Sequence, residues 1–261
     1  MANDAGLSSR LLPVRKHFHA VIWWQRHRRG RLRVPELELL KPLIEETDVC
    51  ADVGAHAGSW LVPLARWVKR GHVYGFEALP YYADVLKLMI RLMRLRNVTV
   101  VGQAVTEHRG RAQLVWKDVQ GRRLTGFTHV AGATEEKGGV LEVESGSLDE
   151  YFAQERRRIR LIKVDVEGAE VGVFRGADAV LRRFRPLVYT ELVNAYLERY
   201  GHTTADVFRI FKGLDYRTFR IVDGPALLPV SGQADELGND VLFVPSELEA
   251  ETLLQERMRK A

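Results

Sequence analysis

A single cysteine, Cys50, in 261 residues excludes intramolecular disulfides, all-cysteine zinc sites and CxxC redox chemistry. Flanked by Val49 and Ala51, it is expected to be a small buried packing residue. No run approaches the roughly 18 apolar residues of a membrane-spanning helix, and no apolar stretch with a small-residue cleavage site follows the N-terminus. A cytoplasmic protein is therefore expected. The phosphate-cradling pattern G-x-x-x-x-G-K-[ST] is absent. Acidic residues are scarce only at the start: residues 1–35 hold eight Lys or Arg against Asp4 alone, whereas the remainder carries 31 basic and 33 acidic residues. The net charge of +5 thus belongs to the leader, and the body is close to neutral. With 46% apolar and 28% charged residues the chain is no disordered polymer but one able to bury a sizeable core.

From Asp48 onward short apolar runs alternate with amphipathic segments, the order of a βαβ protein with a parallel sheet. Strands are expected at 49–53, 72–76, 98–105, 160–165 and 187–190. Helices are expected at 59–69, at 80–94 (Val85, Leu88, Met89 and Leu92 on one face), and across Val171, Phe174, Leu181 and Phe184. Residues 111–117 and 140–143 alternate like strands around a Gly- and Thr-rich insertion, 119–138. Beyond a helix at 205–212, strands 217–222 and 240–244 are expected to pair antiparallel. Ser246 and Glu249 form a capping box for a C-terminal helix. The expected architecture is α/β: one doubly wound, seven-stranded, mostly parallel sheet. It is divided into a basic amphipathic N-terminal extension (1–36), a main α/β domain (37–245) and a helical tail (246–261). Such sheets bind ligands beyond the carboxyl ends of their strands, where strand order reverses.

The first strand ends in Asp52-Val-Gly-Ala-His-Ala-Gly58, whose glycines let backbone approach a ligand closely. Glu77 ends the second strand, a position from which an acid accepts hydrogen bonds from ribose hydroxyls. The spacing Gly54-x-x-x-Gly58 departs from the G-x-G-x-x-G of pyrophosphate sites and disfavours NAD. Asp52 would repel a pyrophosphate and suits an ammonium group. S-adenosylmethionine carries an ammonium, a sulfonium and a ribose.

These segments, with Val73-Tyr-Gly-Phe-Glu-Ala78, Ala104-Val105, Gly110, Ser147-Leu-Asp149, Arg185-Pro186, Glu191 and above all Leu161-Ile-Lys-Val-Asp-Val-Glu-Gly-Ala-Glu170, resemble the FkbM family of class I S-adenosylmethionine-dependent methyltransferases. The resemblance covers roughly residues 37–245. It implies a Rossmann-like class I fold and a cofactor-binding set of Asp52, Gly54, His56, Gly58, Glu77, Gln103 and Ala104. His56 stands where the family commonly has asparagine, and Ala78-Leu79-Pro80 replaces its usual Pro-x-Pro.

Asp165 ends its strand, and Glu167 should face the same side if the extended conformation persists. Glu191 ends the neighbouring strand. Asp165 and Glu167 are the candidate catalytic residues, accepting the proton of an acceptor hydroxyl. Alternatively Asp165, Glu167 and Glu191 hold Mg2+ or another divalent metal that acidifies it. Lys163 is expected to pair with a neighbouring acid, and Glu170 to decorate a helix N-terminus. His129 and His202 are read as solvated loop histidines.

The leading expectation is O-methylation of a hydroxyl on a small molecule, carbohydrate or lipid-linked group. A nucleic-acid methyltransferase is the main alternative, supported only by the basic leader. It is opposed by the absence of a [DN]-P-P-[YFW] run and of a cysteine placed to attack a pyrimidine. A non-catalytic cofactor-fold module at a membrane surface is the third. Residues 10–33 mix basic side chains with Phe18, Val21, Ile22, Trp23 and Trp24, which suits either a helix packed on the core or peripheral membrane contact. Pro13 is expected to confine that helix to later positions.

Overall fold

The computed structural model describes residues 4–117, 120, 129–130, 138–222, 226–230 and 240–248. Twelve strands are assigned among them: β1 (Val49–Val53), β2 (His72–Phe76), β3 (Val98–Val101), β4 (Ala104–Val105), β5 (Gly110–Lys117), β6 (His129–Val130), β7 (Gly139–Gly146), β8 (Ile159–Val164), β9 (Leu187–Glu191), β10 (Tyr216–Val222), β11 (Ala226–Pro229) and β12 (Asp240–Pro245). Eight form one sheet in the order β11-β10-β12-β9-β8-β1-β2-β3. The β8-to-β3 half and the β8–β9 pair are parallel, while β12 and β10 run antiparallel as expected.

The sheet is thus larger by one strand than expected, β11 having been missed. The run 98–105 is also not one strand. It breaks after Val101, and β4 joins a separate four-stranded sheet, β4-β7-β5-β6, that carries the alternating segments around the insertion. Most of residues 119–138, and the tail from 249 on, lie outside the described residues. Ser246 donates its backbone N–H and its hydroxyl to Asp215.

The helices are α1 (Asp4–Arg28), α2 (Pro35–Leu40), α3 (Leu61–Trp67), α4 (Pro80–Met93), α5 (Leu148–Tyr151), α6 (Glu170–Arg175), α7 (Asp178–Phe184), α8 (Asn194–Leu197) and α9 (Thr204–Gly213). Strands β1 and β8 are buried along their whole length, as parallel strands with both faces covered must be. Alternate residues feed two cores. Cys50 and Leu161 pack with α1, α3 and α4, whereas Val49, Ala51, Ile162 and Val164 pack with α6, α7 and α9. The helix expected across 171–184 is two helices broken at Gly176, where a Cβ would lie 2.4 Å from the Thr106 carbonyl oxygen. Close approach of the β4 connection forbids a side chain there.

Two helical expectations need correction. Helix α1 runs through Pro13 rather than starting after it. On α4 the face holding Tyr82, Val85, Leu86, Met89 and Ile90 is buried, while Leu92 is half exposed, because α1 covers a second side of α4 and turns the buried arc. Inner-face residues of α1 reach the core: Ala20 and Trp23 are buried, Lys16 pairs with Asp84 at 2.6 Å, and His19 Nδ1 lies 3.1 Å from the Tyr81 hydroxyl.

Candidate functional site

Strand order reverses between β1, whose chain continues to β2 on one side, and β8 on the other, so the site is sought at their carboxyl ends. Gly54 N–H and Ala55 N–H both donate to the Phe76 carbonyl, folding the glycine turn onto the end of β2. Glu77 clasps that turn from the other side. One of its oxygens accepts the His56 N–H at 2.9 Å and the other the Leu79 N–H at 2.8 Å. Burial pushes the Glu77 carboxyl up to about 7, the two amides offsetting only part of that cost. With about four lone-pair sites and two used, a carboxylate here retains the acceptors that a ribose diol requires.

Register explains the next interaction. Asp52 and Lys163 are partners across the β1–β8 pair and so stand side by side on one face. Lys163 Nζ lies 3.3 Å from Asp52 Oδ1 and 3.4 Å from Asp165 Oδ2, and donates to the Gly54 carbonyl oxygen at 2.8 Å. Burial alone would depress the Lys163 ammonium, but Asp165 and Asp52 outweigh it and keep the group charged. Asp52 is 1% exposed and its carboxyl is raised by burial; no aligned hydrogen bond from the described residues reaches either oxygen.

The turn after β8 departs from the expected extended run. Glu167 has φ 60° and Gly168 φ 111°, so Glu167 does not simply continue the alternation of the strand. Glu170 stitches this turn by accepting from the N–H groups of Val166 and Gly168, at 3.2 and 3.1 Å. Burial first, then the charges of Asp165, Glu191 and Glu170, push the Glu167 carboxyl up to about 7. The carboxylates expected to gather do share one electrostatic neighbourhood. Among the described residues, however, no group of three His, Cys, Asp or Glu is arranged to hold a metal ion. The set Asp165, Glu167 and Glu191 therefore does not fit the metal role: Asp165 already faces an ammonium, and the left-handed turn takes Glu167 out of the strand's alternation.

A cavity beside the glycine turn is lined by Gly54, Glu77, Gln103, Ala104, Leu114, His129 and Asp165, among others. Of the expected cofactor set, Gly54, Glu77, Gln103 and Ala104 line it. Asp52 lies behind the turn against Lys163, and His56 points away, its ring packed edge-on to Trp23 of α1 and Tyr82 of α4. Gly58 is likewise not among the lining residues, a Cβ there meeting Leu86 and Met89. The missed residues come from the second sheet and from α1. His129, expected to be solvated, is buried and lines the cavity, and His27 Nε2 of α1 donates to the Ala57 carbonyl at 2.9 Å. Strand β6 is two residues long and pairs with β5 as Val115↔His129, a placement that no local periodicity announces. His202, the other loop histidine, stands 3.9 Å from Asp206 at the start of α9.

The family model described as the methyltransferase FkbM domain matches residues 52–218, about two thirds of the chain. The chain belongs to the FkbM methyltransferase family. No curated protein matches it. Solved structures similar to it include the methyltransferase FkbM of Methylobacillus flagellatus, at 15% identity and TM-score 0.49 over 77% of this chain and 44% of that one. Others are an S-adenosylmethionine-dependent O-methyltransferase of Thermotoga maritima (12%, 0.42, 79% and 62%) and an rRNA methylase of Streptococcus thermophilus (12%, 0.45, 80% and 92%). The chain spans less than half the length of the Methylobacillus protein. The buried Glu77, with acceptor sites to spare, stands beside a side-chain-free Gly54 at the edge of this cavity. No helix among the described residues is long and apolar enough to cross a membrane.

Proposed function

We propose that the chain transfers a methyl group from S-adenosylmethionine to a hydroxyl oxygen of a small-molecule, carbohydrate or lipid-linked acceptor, with residues 37–245 as the catalytic domain. The observation that carries this reading is the juxtaposition of Glu77 and Asp165 on one cavity, with the raised Glu167 in the adjoining turn. Glu77 binds ribose hydroxyls, and backbone at Gly54, Gln103 and Ala104 borders the ligand. When bound, S-adenosylmethionine supplies an electrophilic methyl on a sulfonium. Lys163 holds Asp165 in place and ties it to the glycine turn. Glu167, or Asp165 beside it, accepts the proton of the acceptor hydroxyl, and the protein otherwise contributes proximity and alignment.

Glu77→Ala is expected to weaken S-adenosylhomocysteine binding by about 1.5–3 kcal/mol, the usual worth of hydrogen bonds to a charged acceptor. Isothermal calorimetry checks this, and wild-type affinity in the variant would remove Glu77 from the ribose.

The raised Glu167 sets a pH dependence. Below about 7 the group is protonated and cannot accept a proton; above it the carboxylate is available. Turnover with a hydroxyl acceptor should rise with pH through about 7, and Glu167→Gln should lose both that limb and most of the rate while keeping cofactor affinity within a few fold. A pH–rate profile unchanged by Glu167→Gln would leave Asp165 as the base. Loss of activity in both Asp165→Asn and Glu167→Gln, with excess chelator without effect, matches a metal-free carboxylate mechanism.

A further inference from the structure

Helix α1 uses one face on the core and leaves another unused. Ala20, Trp23 and His27 point inward, reaching the core, His56 and the Ala57 carbonyl. Val14, Phe18 and Val21 follow at i, i+4 and i+7 on the opposite side, 64%, 65% and 36% exposed. Three large apolar side chains standing in water on one helical stripe are not explained by folding, because the core already has its helix face. The same stripe continues through Gln25 to Arg28, with Arg15 and Arg29 to one side and His17 to the other, all exposed. Beside it, α1 and α4 enclose an open cleft of about 320 Å3 lined by Pro13, Lys16, His17, Lys87, Leu88 and Arg91 together with Asp84. Asp84 is engaged by Lys16 at 2.6 Å, so the cleft presents Lys87, Arg91 and His17 to an incoming anion. Leu92, one turn beyond Leu88, is half exposed and extends the apolar surface onto α4.

We infer that this face of α1, with the Lys87–Arg91 edge of α4, docks on the surface of an anionic lipid bilayer. The apolar stripe enters the interfacial region and the surrounding guanidinium and ammonium groups meet lipid phosphates. Charge complementarity selects a bilayer over a protein groove: an apolar ridge of three side chains is narrow for a stable protein interface, whereas its basic margins and adjoining basic cleft match a sheet of headgroup phosphates. The helix lies on the membrane and does not cross it, in keeping with its many charges. The surface is distinct from the cofactor cavity, so it holds whether or not the methyl acceptor proves to be a hydroxyl.

The test is co-sedimentation of the full-length protein with vesicles of phosphatidylcholine alone and with vesicles that also carry phosphatidylglycerol. Binding only to the anionic vesicles, weakening as salt rises, is expected. The triple variant Val14→Ser, Phe18→Ser, Val21→Ser and the double variant Lys87→Ala, Arg91→Ala should each lose about tenfold or more in vesicle affinity. Val14, Phe18, Val21 and Arg91 are exposed and Lys87 is half-buried, none of them in the core, so melting temperature and S-adenosylhomocysteine binding should match wild type, which separates lost docking from misfolding. No sedimentation with anionic vesicles at low salt would overturn the proposal. So would undiminished vesicle binding by the triple variant, or a concentration-dependent dimer, seen by sedimentation velocity, that the triple variant abolishes while vesicle binding persists.

Discussion

Lys163→Met is expected to destabilise the fold by about 3–5 kcal/mol, the cost of stripping one partner from a buried ion pair. For a domain of this size that corresponds to a fall of roughly 10 °C in melting temperature. Methionine fills most of the lysine volume, so the loss is electrostatic. Asp52 stays buried without the ammonium it pairs with, and the Gly54 carbonyl loses the Lys163 donor. Lys163 also spans Asp52 and Asp165, and therefore joins the glycine turn to the acidic turn. Cofactor affinity should fall with stability. Adding Asp52→Leu to Lys163→Met removes the stranded carboxylate and should recover part of the loss, a coupling that a double-mutant cycle by thermal or urea denaturation measures. A melting temperature within about 2 °C of wild type for the single variant would show that the pair adds nothing to the fold.

Gly54→Ala is the second large effect. The residue has φ 79°, a conformation costly for any side chain, and a Cβ would stand 1.9 Å from the Asp165 carbonyl oxygen. The Cβ is fixed to its backbone and the oxygen it meets is backbone, so relief requires the ends of β1 and β8 to part, against the Asp165 N–H bond to the Val53 carbonyl. The strained backbone alone costs on the order of 1–3 kcal/mol, and the clash adds to it. S-adenosylhomocysteine binding should be lost even where the protein still folds, because the turn and Asp165 border the same cavity. Gly213→Ala is the matched control: it closes α9, a Cβ there meets nothing within 4 Å, and it should be neutral or stabilising by up to about 1 kcal/mol. Equal behaviour of the two variants in calorimetry and melting would discard the close-approach account of Gly54.

The two residues show how differently sites are written into a chain. Gly54 and Glu77 are legible because each sits where a hydrophobic run stops, and a glycine or an acid at the end of a strand has few purely local reasons to be there. The pairing of Asp52 with Lys163 was legible only as a general expectation that Lys163 meets an acid. Which acid depends on the β1–β8 register, set between segments more than a hundred residues apart. Glu167 is the contrary case: an alternation rule placed it with Asp165, and a left-handed residue broke the alternation. Glycine at 168 and the inward-turning Glu170 make that turn possible, but their effect appears only once Glu170 is seen to accept the two amides.

The sequence by itself determined the α/β alternation and the strand ends where the candidate site lies, which follow from local periodicity and spacing, the concentration of positive charge in its first 35 residues, which is composition, and, through the resemblance of its motifs, the FkbM character of the chain. Only the tertiary structure decided that residues 98–105 divide between two sheets, that His129 is buried at the cavity, that His56 turns toward Trp23 and Tyr82, and which face of α1 meets the core. Each of these depends on which distant segment arrives beside the residue. A two-residue strand or one face of a helix has no preference strong enough to announce its partner; burial and hydrogen bonding are settled when the partner packs.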